Sequence, residues 1–90
     1  MRKLHPIVFI GPQDYRRFQS ILGVGLPESY DEWLSNHAIE KNRRHLLGFD
    51  VREIQVLPDE LIQYGQNATE APTVVMLRQI AFEKAKDLTP

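Results

Sequence analysis

The stretch that most constrains the fold runs from Val51 to Leu88. Val51-Arg52-Glu53-Ile54-Gln55-Val56-Leu57 reads as one short strand, with Ile54 and Val56 on one face and Glu53, Gln55 and Leu57 on the other. Val51 is out of phase with Ile54 and Val56, which predicts a bulge or a late start. Pro58-Asp59-Glu60-Leu61 opens a helix with Leu61, Ile62 and Tyr64 as its apolar members, and Gly65 is expected to keep it brief. Ala71-Pro72-Thr73 opens a longer helix, because a residue before proline avoids the helical region. Val74, Leu77, Ala81, Ala85 and Leu88 form one apolar face of it, and Val75 and Phe82, seven apart, form a second. A helix apolar on two faces calls for two partners, one of which can be another subunit.

The first half begins with a β-branched and aromatic run, Pro6-Ile7-Val8-Phe9-Ile10, stopped by Gly11-Pro12. Apolar residues in succession predict a strand buried on both faces. Pro12 suits the first position of a helix, with Tyr15, Phe18 and Leu22 on one face and Gly23 as its stop. Ser29-Tyr30-Asp31-Glu32 matches a capping box, in which Ser29 takes the amide of Glu32 and Glu32 reaches back to Ser29. Tyr30, Trp33, Leu34, Ala38 and His37 make the buried stripe of the helix that follows. The segment Lys41-Asn42-Arg43-Arg44-His45 is polar on every face, and Leu46-Leu47-Gly48 is expected to return to the core.

Ninety residues make one domain, 1–90. Leu, Ile, Val and Phe supply 27 of them, enough to drive folding. The chain has no cysteine, which excludes disulfides and thiolate zinc sites and fits a reducing cytoplasm. No apolar run approaches the roughly 20 residues that cross a membrane. Net charge is −1 and is unevenly spread: residues 1–45 carry seven Lys/Arg against five Asp/Glu, and residues 46–90 carry four against seven. Neither half has the basic field of a strong nucleic-acid binder.

Sites of chemistry are scarce. His37 and Glu40 share a helix face, but His45 lies eight residues on, roughly 12 Å along a helix, so no three ligands converge on a metal. Gly23-Val24-Gly25 lacks the lysine and the third glycine of a phosphate loop. The serines sit in no nucleophile elbow, and Asp31 and Glu32 are adjacent on a helix and do not face each other. The reading is therefore not an enzyme, with no cofactor and no metal. Lys41, Arg43 and Arg44 form the one basic cluster, open to phosphate, RNA or an acidic partner, or simply solvated at a helix C-terminus.

Ile54-Gln55-Val56-Leu57-Pro58-Asp59-Glu60-Leu61, followed by the helix holding Leu77, Ala81 and Phe82, resembles the ribbon-helix-helix family over residues 51–88. That resemblance implies dimeric repressors or antitoxins whose paired strands enter the major groove, with Gln55 placed to read adenine and the 41–45 cluster on phosphates. Glu53 would carry the wrong sign for that surface. The leading expectation is accordingly a cytoplasmic protein-interaction or regulatory module that forms a homodimer, with Trp33, Val56, Val75 and Phe82 as interface or core anchors. DNA binding is the alternative. The expected fold is α+β and mainly helical, with strands near 6–10 and 51–57 that pair within the chain or across a dimer, and about four helices.

Overall fold

The computed structural model describes residues 2–88. Its elements run β1 (Leu4–Phe9), α1 (Tyr15–Leu22), α2 (Tyr30–Leu46), β2 (Asp50–Gln55), α3 (Pro58–Ala68) and α4 (Val74–Ala85), closed by a 3-10 turn at Lys86–Leu88. The fold is α+β, as expected, and the two strands pair within the chain. They run parallel, in unbroken register from Leu4 beside Asp50 to Phe9 beside Gln55. Parallel strands need a long crossover, and α1 and α2 together supply it.

This small sheet is covered on both faces. Ile10, Ile54 and Val56 join the main core with Phe18, Leu61 and Leu77, and Leu4 and Val8 pack against it. The odd-numbered side chains face α2: Phe9 meets Trp33 and His37, with ring centroids 6.0 and 5.8 Å away, and Glu53 bonds His37. Val51 is buried on that second face, opposite Ile54 and Val56. Its phase therefore needs no bulge; the expected irregularity is absent because both faces are packed.

Local chemistry explains most boundaries. Ser29 Oγ accepts from the Glu32 amide at 3.1 Å and starts α2. At α3 the reach-back comes from Glu60, whose Oε1 accepts from the Leu57 amide at 2.7 Å. Residues 12–14 form a turn rather than the first turn of a helix, so α1 starts three residues after Pro12. Gly65 does not end α3, which continues to Ala68. A Cβ there would sit 3.1 Å from the Glu70 carbonyl oxygen, so this glycine allows the following loop to fold back closely. Leu46 and Leu47 do not return to the core: they are 81% and 64% exposed at the end of α2, and Gly48, with φ of 92°, then turns the chain toward β2. On α4, Met76, Leu77, Ile80, Ala81 and Ala85 are buried, while Val74 is more open than its place on the expected stripe suggests. The side chain of Leu88 lies outside the described residues.

Candidate functional site: the outer edge of β1

A parallel strand turns alternate residues toward each neighbour. Lys3 O accepts from Asp50 N at 2.8 Å, and Phe9 O accepts from Val56 N at 3.2 Å. The odd residues of β1 therefore bond β2, and the even ones, Leu4, Pro6 and Val8, turn their backbone groups away from it. Pro6 fits this side because it has no N–H to offer a neighbour. Among the described residues the sheet holds two strands only, so the carbonyl of Pro6 and both backbone groups of Leu4 and Val8 face no third strand. At the far end the Tyr30 hydroxyl donates to Ile10 O at 2.6 Å and closes the row.

This edge is the floor of a groove of about 570 Å³. One wall is a stripe of α2: Trp33, Asn36, His37, Glu40 and Arg44. The other is a stripe of α4: Val74, Val75, Arg78 and Phe82. Both helices begin at the Ile10 end of β1. Tyr30 at the start of α2 meets Ile10, and Val74 at the start of α4 lies against Gly25 in the loop that leads to α2. Phe82, late in α4, is 6.4 Å from the His5 ring. Pro6 and Ile7 are buried beneath the walls, so the edge is recessed.

The groove changes along its length from stacked aromatic rings to charged groups. Tyr30, Trp33 and His37 stack along α2, with centroids 5.6 and 4.9 Å apart and planes within 17°. His37 Nε2 meets Glu53 Oε1 at 2.8 Å, which holds the imidazole at the edge of the stack and draws the Glu53 carboxyl below its ordinary range. The His5 end carries the charge. Burial, then the Arg44 guanidinium, then Arg78, push His5 below 6.5, partly opposed by Glu40. The Glu40 carboxyl is held low chiefly by its 2.8 Å bond from Arg44 Nε. Arg78 makes no ion pair among the described residues and is exposed. The lining offers no hydroxyl, thiol or amine side chain, and among the described residues no three His, Asp or Glu side chains group around a metal position. The arrangement suits binding: open backbone groups on the floor, aromatic and aliphatic walls, and a cationic end.

The residues singled out from the sequence scatter across the molecule. Trp33, Val75 and Phe82 come together on the groove walls, and Val75 and Phe82 are 58% and 50% exposed. Val56 is fully buried in the core, on the opposite side of the sheet from α2. The basic cluster is divided: Lys41 pairs with Glu53 at 3.4 Å, while Arg43 and Arg44 pair with Glu40 at 3.5 and 2.8 Å. Gln55 is exposed at the end of β2, and its carbonyl accepts from Lys84 Nζ at 2.7 Å. One edge of β2 is taken by β1 of the same chain, so a ribbon shared between subunits would have to form on its other edge. Sequence reasoning passed over His5, Val8 and Arg78. Pro6 inside an apolar run was the available signal, since proline in a strand marks an edge. No family model matches the chain, and no curated protein or solved structure shows detectable similarity to it.

Proposed function

We propose that the chain is a protein-interaction module that accepts an extended segment of a partner protein as a third strand on β1. The observation that carries this is the recessed free edge of β1, whose outward backbone groups lie on the floor of an apolar groove. Strand addition uses such groups for affinity and flanking pockets for alternate side chains. A peptide fits this edge better than the edge of a second folded copy, because α2 and α4 rise on either side of it. No helix among the described residues is long and apolar enough to cross a membrane.

The test exploits strand alternation. Val8→Pro deletes an outward amide and leaves every bond between β1 and β2 in place, as Pro6 already does. Peptides enriched from a displayed random library against the parent protein are then titrated against both proteins. They are expected to bind the parent and lose about tenfold or more on Val8→Pro, with circular dichroism unchanged. Enriched peptides that bind Val8→Pro equally well, or a library that enriches nothing, would remove the reading.

A further inference from the structure

The groove is polar in one direction, and this polarity limits what can fill it. Every charged side chain in its lining, Glu40, Arg44 and Arg78, lies at the His5 end. Glu40 is already engaged by Arg44. Arg78 is left with no carboxylate among the described residues, beside a histidine whose pKa burial and two guanidinium groups lower. The opposite end, around Ile10, Leu26, Trp33 and Val74, is apolar. An uncharged or basic segment would leave Arg78 unpaired as the groove fills and loses water, whereas a carboxylate would complete it.

Resting on the strand-addition reading, we infer that the occupant carries an Asp or Glu side chain opposite Arg78 and a bulky apolar side chain two to four residues away, opposite Trp33 and Val74. The spacing follows from the fold. His5 and Phe9 mark the two ends along β1, where four residues of strand span about 13 Å, and Val74 and Arg78, four helical residues apart on α4, are separated by about 6 Å, or two residues of strand. An even separation is required because each wall presents both characters on one side: α2 runs from Trp33 to Arg44, and α4 from Val74 to Arg78. The acid and the anchor therefore sit on the same face of the added strand.

The experiment selects one displayed random library separately against the parent, Arg78→Glu and Val8→Pro. Selected peptides are then titrated by following the emission of Trp33, the chain's single tryptophan. Sequences from the parent are expected to carry Asp or Glu two or four residues from Trp, Phe or Leu, and replacing that acid by its amide is expected to weaken binding about tenfold. Arg78→Glu is expected to turn the acid into Lys or Arg at the same position, and Arg78→Gln to bind acid and amide peptides alike. Peptides that lose binding to Val8→Pro but show no acid preference, or whose acid preference survives Arg78→Glu, would overturn the inference and leave strand addition standing. Peptides indifferent to Val8→Pro would remove both.

Discussion

The two edges of one small sheet are treated in opposite ways. The outer edge of β2 is guarded. Asp50 and Arg52 pair with each other, Glu53 is held by His37 and Lys41, and Lys84 from α4 occupies the Gln55 carbonyl. Charge and an engaged carbonyl are common ways of keeping a strand edge from pairing with another chain. The outer edge of β1 has an engaged carbonyl only at its far end, where Tyr30 donates to Ile10 O. It is protected by recession between two helices and by one proline, which limits pairing without abolishing it. The difference teaches that both edges need a defence against promiscuous pairing, and that only the defence at β1 leaves room for a selected segment.

The contrast between the odd and even residues of β1 should give the largest effect. Ile7→Pro removes an amide that donates to β2 and a buried side chain. It is expected to destabilise the protein by about 3 kcal/mol or more, enough to unfold much of a small domain. Val8→Pro, one residue away and turned outward, should cost about 1 kcal/mol, mostly from lost packing of a half-buried side chain. Urea denaturation of the two variants side by side checks this. Equal losses would mean that the alternation has been assigned the wrong way round.

The guard on β2 can be dismantled. Arg52→Val, Glu53→Val and Lys84→Met together would strip the charge and free the Gln55 carbonyl. Light scattering is expected to show concentration-dependent association of this triple variant, driven by an exposed apolar edge. A variant that associates no more than the parent as concentration rises would show that the charges there are not what prevents pairing.

The smallest expected effect is on pH. His5 has its folded-state value pushed below 6.5, so the unfolded chain binds more protons and stability falls as pH drops through that value. Glu40 and Glu53 are held below their ordinary 4.5, so the stability they contribute is present above that value and is lost as pH falls through their lower folded values. All three shifts have the same sign. Melting temperature should decline modestly below about pH 6.5 and more steeply below about pH 4.5. His5→Asn should remove the first decline, and Glu53→Gln should soften the second.

Local signals in the chain were readable and long-range ones were not. Ser29 and Glu32 marked the start of α2, the β-branched runs marked both strands, and the second apolar stripe of α4 pointed to Val75 and Phe82. Each of these follows from neighbours a few residues apart. The parallel pairing of strands some 45 residues apart has no local signature, and so the burial of Val51 looked like an irregularity. Leu46 and Leu47 misled because apolarity alone does not say which way a side chain will face at the end of a helix. Arg78 was passed over because an unpaired cation on a helix gains meaning only from what stands across the groove.

The α1–α2 crossover also sets an order of events in time. β1 is synthesised first, yet its partner does not begin until Asp50, after two helices have been made. At translation rates of about 5–20 residues per second, that gap lasts on the order of 2–8 s. Over this interval both rows of β1 backbone groups lack a strand beside them, in a run of Ile7, Val8, Phe9 and Ile10 that other nascent chains could join. Pro6 interrupts one row, and Arg2 and Lys3 place positive charge at the head of the segment. The same proline that later shapes a docking floor thus first acts as a gatekeeper, keeping a strand available until the rest of its sheet exists.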